Sequence, residues 1–206
     1  MTETKFSTKN NVKIALLLLA FISATFIIYK VYTSASLSIN ANPLERHKQG
    51  TFSALEILKA PPSIKEHKFL DENGNSINLS TIKGRVKIVN IWATWCPPCV
   101  REMPELAEIA VKYKAQGIVM IPINIDKLEK SLEAKKQLEK LSNGKLQFYS
   151  DPEMAIPFPL LVKGFPTTIF YDENNIEILR IGGAPNWKSK EADDLIFEVL
   201  KQSNQK

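Results

Sequence analysis

Apolar and polar positions follow three rhythms along this chain. The first is an unbroken one: residues 14–28 are apolar except for Ser23 and Thr25. Fifteen helical residues span only about 22 Å, short of the roughly 30 Å hydrocarbon core of a bilayer. Extension from Val12 to Tyr32 reaches about 31 Å. Lys13 and Lys30 then stand at the ends, where their stems can snorkel, and Tyr29 and Tyr32 suit the interface. The pattern predicts a membrane helix over residues 14–32 behind a cytoplasmic tail, 1–13. An uncleaved anchor competes with a signal peptide cut near Thr33, Ser34 and Ala35. The lysines ahead of the run favour an N-terminus in the cytoplasm, and Lys30 is oddly placed for a cleaved signal. A buried core helix fits worse, because every face is apolar.

After residue 33 the rhythm is lost. Residues 33–60 carry no strong period and read as a tether with a short helical or irregular lead-in, closed by Pro61 and Pro62. From Ser63 the chain alternates between strand-like and helix-like patterns. Residues 64–70 and 77–79 flank a turn containing Asn73-Gly74 and read as a hairpin. VKIVNIW, residues 86–92, is almost continuously apolar, as expected of a parallel strand covered on both faces. Residues 98–116 read as a helix with Met103, Leu106, Ala110 and Tyr113 on one stripe, a kink at Pro104 and a stop at Gly117. Residues 118–125 form a second buried strand, in which Pro122 belongs near an end or a bulge. A charged helix over 130–141, a short strand over 147–150, a hairpin over 167–171 and 176–181, and an amphipathic helix over 190–201 complete the series. The result is an α/β domain, residues 61–206, with a mixed central sheet and helices on both faces.

Composition narrows the reading. Of 206 residues, 44% are apolar and 24% charged, which excludes a disordered chain. The formal charge of +5 is concentrated at the N-terminus, and the remainder is nearly neutral, so nucleic acid is not an expected partner.

The chemistry lies in the only two cysteines, Cys96 and Cys99, within WATWCPPC. They follow a buried strand and open a helix, a spacing that lets the sulfurs bond. Cys96 falls at the helix start, where free N–H groups and the dipole favour a thiolate, while Cys99 lies one turn in and is more shielded. One accessible and one shielded sulfur suit disulfide exchange. A zinc site would need His47 and His67 as its only further Cys or His ligands, and a structural disulfide over so short a loop would constrain the chain little. Pro97 and Pro98 both lack N–H groups, which weakens thiolate stabilisation and favours an electron donor over a strong oxidant.

WCPPC after a buried strand, with Gly164-Phe165-Pro166-Thr167-Thr168 about 70 residues later, resembles the thioredoxin superfamily. Together with FLDENG, LSTIKGR and EMPEL in order, it is most similar to the membrane-anchored TlpA/ResA/CcmG-like thiol:disulfide oxidoreductases. The resemblance covers roughly residues 61–202. It implies a thioredoxin-like fold with an N-terminal β-hairpin extension, Cys96 as nucleophile, Cys99 as resolving thiol, and a cis Pro166 facing the pair. Trp95, Pro97, Phe165, Pro166 and Thr167 would then line the substrate site. Glu102 shares the helix face of Cys99 and, if shielded, could relay its proton. A solvated first-turn glutamate is the plainer reading.

The resemblance further implies an extracytoplasmic domain at a bacterial inner membrane, client proteins with disulfides or thiols, and a separate DsbD/CcdA-like membrane electron donor. No cofactor beyond the Cys96–Cys99 disulfide and no metal are expected. The clients suggested by the branch are in cytochrome c maturation or oxidase copper-site assembly. A Sco-like copper carrier is the alternative, weakened by the absence of histidine after His67.

Overall fold

The computed structural model describes residues 8–39 and 42–203. The tail before residue 8, and Asn40 and Ala41 within the expected tether, lie outside the described residues. Two compact units divide at residue 42.

The first unit is helix α1, Thr8–Ile39. Its apolar span, Val12–Thr33, has 22 residues and a mean hydropathy of 2.3. At 1.5 Å per residue this is about 33 Å, enough to cross a bilayer. The two polar interruptions are locally satisfied. Ser23 Oγ donates to the Ala20 carbonyl and Thr25 Oγ1 to that of Ile22, at 2.8 and 2.9 Å. The helix is longer than the expected 14–32 and takes in residues read as tether.

The second unit begins at Pro43. Among the described residues its eight strands are β1 (Leu55–Glu56), β2 (Lys68–Leu70), β3 (Ser76–Asn78), β4 (Val86–Trp92), β5 (Ile118–Asn124), β6 (Tyr149–Ser150), β7 (Thr167–Asp172) and β8 (Glu177–Gly182). They form one sheet in the order β1-β8-β7-β4-β5-β6-β2-β3. β4 runs parallel to β5, and β5 to β6; the other pairs are antiparallel. All of β4 is buried, which requires cover on both faces of the sheet. Helices α2 (Pro97–Lys112), α3 (Ser131–Ser142) and α4 (Lys190–Gln202) follow β4, β5 and β8 in the chain.

Both hairpins are built with the same turn chemistry. Asp71 Oδ1 accepts the N–H groups of Asn73 and Asn75, with Gly74 at φ 80°. Asp172 Oδ1 accepts those of Asn174 and Ile176, with Asn175 at φ 61°. The aspartate takes up the turn N–H groups and the left-handed residue closes it.

Two expectations change. Residues 43–60 do contain short helical turns, Pro43–His47 and Gly50–Phe52, but they belong to the compact domain rather than to a tether ahead of it: Leu44, Phe52 and Leu55 are fully or almost fully buried, and β1 extends the sheet beside β8. The N-terminal hairpin β2–β3 lies at the opposite edge. Pro122 occupies neither an end nor a bulge; it pairs in regular register with Asn90. The other side of β5 is unpaired until Ile123, so a proline nitrogen turned that way forfeits no ladder bond.

Candidate active site

Strand β4 ends at Trp92 and delivers Ala93, Thr94, Trp95 and Cys96 to the start of α2. This connection is held by Asp126, which sequence reasoning missed. Its Oδ2 accepts the Thr94 backbone N–H at 2.9 Å and the Asn124 side-chain amide at 2.8 Å. Cys96 is the N-cap of α2, and Pro97 and Pro98 fill the next two positions. Neither can donate, so the first N–H aimed at Cys96 Sγ is that of Cys99, at 3.4 Å. Cys96 and Cys99 are joined in a disulfide, with Cα atoms 5.3 Å apart. Cys96 retains 5% exposure and Cys99 none.

The segment ahead of β7 forms the facing wall. The Phe165–Pro166 peptide is cis. The Pro166 carbonyl accepts the Gly183 N–H at 2.8 Å, and Thr167 Oγ1 donates to the Gly164 carbonyl at 2.7 Å. The Phe165 backbone makes no hydrogen bond among the described residues. Its ring meets that of Trp95 edge-on, centroids 6.1 Å apart. Trp95 is 64% exposed and Pro97 is exposed, whereas Pro166 and Thr167 are buried. The surface around the disulfide is therefore an aromatic shoulder beside a stretch of free backbone.

Three residues past Cys99 on α2 stands Glu102, which is 2% exposed and so not a solvated first-turn glutamate. Its Oε1 accepts from Asn90 Nδ2 at 2.8 Å and its Oε2 from Trp187 Nε1 at 2.9 Å. Burial pushes its pKa up to about 7; the two hydrogen bonds pull it down and the Glu105 charge adds to the rise. A carboxyl titrating there can exchange a proton at neutral pH.

Sequence reasoning also missed Asn90 and Trp187. Asn90 left a signal, as a polar residue inside a strand buried on both faces must find partners. Trp187 left none, because it stands 85 residues from Glu102 in the loop between β8 and α4.

A thioredoxin-like sheet with a helix-opening disulfide, a cis-proline wall and a buried acid defines a thiol:disulfide oxidoreductase. The chain belongs to the Redoxin family, whose model matches residues 59–196. It is 29% identical over 135 residues to the thiol-disulfide oxidoreductase ResA of Bacillus cereus, covering 66% of this chain and 76% of that one. It is 36% identical over 107 residues to the thiol:disulfide interchange protein DsbE of Pseudomonas aeruginosa, covering 52% and 56%. Among solved structures, a Chlorobium tepidum chain described as a thiol:disulfide interchange protein DsbE superposes with a TM-score of 0.60. Its identity is 26%, over 69% of this chain and 99% of that one.

Proposed function

We propose that α1 anchors the protein in a bacterial inner membrane with its N-terminus in the cytoplasm, and that the exported domain reduces disulfides of specific client proteins. In the dithiol form, Cys96 as thiolate attacks one sulfur of a client disulfide. The client bond breaks, a mixed disulfide forms, and the other client sulfur leaves as a thiolate that takes up a proton. Cys99 then gives its proton to Glu102 and attacks Cys96. The mixed bond breaks, the second client sulfur leaves as a thiolate that takes up the proton Glu102 gives back, and the client departs as a dithiol with the protein left as the disulfide. A separate DsbD/CcdA-like membrane donor returns two electrons.

The observation that carries this reading is the unpaired Phe165 backbone beside Trp95 and the Cys96–Cys99 disulfide. A client segment laid there gains main-chain hydrogen bonds as an added strand, which places its cysteine against Cys96. Pro97, Pro166 and Thr167 shape the same wall. The two prolines of the motif favour the reducing direction, and the clients are those of cytochrome c maturation or oxidase copper-site assembly.

Trapping tests it. In Cys99→Ala the mixed disulfide cannot resolve, and Cys96 retains its clients covalently for identification by mass spectrometry. Cytochrome c precursors or oxidase copper subunits are the expected catch. A broad mixture would instead indicate general thiol repair, and an empty trap beside tight copper binding by the reduced protein would replace this reading with a copper carrier.

A further inference from the structure

Glu102 is gripped by donors that differ in kind. Trp187 Nε1 can only donate, and its ring is fixed. It is 2% exposed, packs against Phe52 and Phe170 with centroids 5.6 and 6.3 Å away, and its backbone N–H donates to Glu105 Oε2 at 2.9 Å. Asn90 can donate or accept. Its Nδ2 donates both to Glu102 Oε1 and to Thr168 Oγ1, at 2.8 and 2.9 Å, while its Oδ1 is buried with no partner. An orphaned buried carbonyl oxygen beside a fully used amide nitrogen is half of a two-way arrangement.

We propose that Trp187 and Asn90 are positioning residues for Glu102: the indole is a fixed donor that steers the relayed proton to Oε1, and the Asn90 carboxamide turns over to accept it there. With Glu102 ionised, both carboxylate oxygens accept, as observed. When Cys99 S–H gives up its proton, Oε2 still faces the indole N–H, so the proton resides on Oε1. The O–H now needs an acceptor. Half a turn of the carboxamide presents Asn90 Oδ1 to it, and the Thr168 hydroxyl, an acceptor before, donates to the same oxygen. The number of hydrogen bonds made by the carboxamide is unchanged, with Nδ2 now in the unpartnered place that Oδ1 held, and the reverse turn returns the proton. Among the described residues, the charge acting on Glu102 comes from Glu105 on α2. β4 and β7 present the uncharged Asn90 and Thr168, and the β8–α4 loop presents Trp187.

The relay belongs to the function proposed above, but the cradle is a property of the resting protein and is tested without a client. The oxidised full chain, in nanodiscs with labelled asparagine side-chain amides and glutamate carboxyls, is titrated by NMR. Asn90 and Glu102 are expected to share one midpoint. In Trp187→Phe, which keeps a ring but loses a donor to the ionised form, the midpoint rises by about one pH unit. In Glu102→Gln the Asn90 titration disappears. If Trp187→Phe folds poorly, benzothienylalanine at position 187 retains the ring shape without the N–H. Asn90 resonances that stay flat while Glu102 titrates would overturn the turning amide, and an unmoved midpoint without the indole N–H would overturn the fixed donor. Loss of client reduction with these titrations intact sinks only the proposed function.

Discussion

Phe52 meets the indole of Trp187 edge-on, with ring centroids 5.6 Å apart and planes at 77°. Trp187 in turn donates to Glu102, so a residue ahead of the sequence-defined domain braces the acid three residues past Cys99. Phe52 is 1% exposed, and its removal leaves a cavity against the indole. Phe52→Ala is expected to destabilise the domain that begins at Pro43 by about 3–5 kcal/mol in urea denaturation, with Phe52→Leu closer to the parent. A loss of under about 0.5 kcal/mol, the range of ordinary surface changes, would show that the lead-in braces nothing.

The reason this brace escaped the sequence is physical. Leu44 stands alone among polar neighbours, the apolar residues between Phe52 and Leu58 are too few to set a helical or strand period, and β1 has only two residues, aligned by its pairing with Ile181 and Arg180 of β8. Period and turn chemistry are local, so β4, both hairpins and α2 were legible, as was the motif that opens α2. The acid was legible as a position on the helix face of Cys99, but its burial was not, because Trp187 and Thr168 reach it from distant parts of the chain.

Glu102 gives stability a pH dependence of definite sign. Its ordinary pKa is 4.5 and its folded value about 7, so the folded protein holds this proton more tightly than the unfolded chain. The contribution is complete below pH about 4.5, declines as pH rises towards about 7, and is flat above, a loss on the order of 3 kcal/mol. Glu102→Gln has no such ionisation, so its urea midpoint should vary less across this window than the parent's. Parallel curves for the two proteins would show that Glu102 ionises in the folded state as it does in the unfolded one.

Pro98 occupies the second position of α2, where an ordinary residue could donate to an N-cap side chain. Pro98→Ala restores that donor for a Cys96 thiolate and so stabilises the reduced form. One hydrogen bond to a charged acceptor, about 1.5 kcal/mol, corresponds to about 30 mV for a two-electron couple. Equilibration with glutathione buffers should place the variant about that much more oxidising, and the parent well below the roughly −120 mV of a dedicated disulfide-forming oxidase. A parent at that oxidising level would contradict the donor reading.

Arg180 and Glu177 form a buried pair whose importance lies in the segment it tethers. Arg180 Nε and Nη2 donate to the two Glu177 carboxylate oxygens at 2.7 and 2.6 Å, and Nη1 donates to the Leu160 carbonyl at 2.7 Å. Leu160 belongs to the irregular stretch leading to Phe165, which Asp151 also holds by accepting the N–H groups of Ala155 and Ile156. Glu177→Ala leaves a buried guanidinium unpaired and should cost about 3–5 kcal/mol. The double replacement Glu177→Leu, Arg180→Met removes both charges and should recover most of that stability. It does not restore the bond to Leu160. Limited proteolysis over residues 154–165 should therefore be faster in the double variant than in the parent, and its kcat/KM on protein disulfides lower, despite near-parental stability. If stability, proteolysis and kcat/KM all returned together, the pair would serve the fold and leave the wall of the active site untouched.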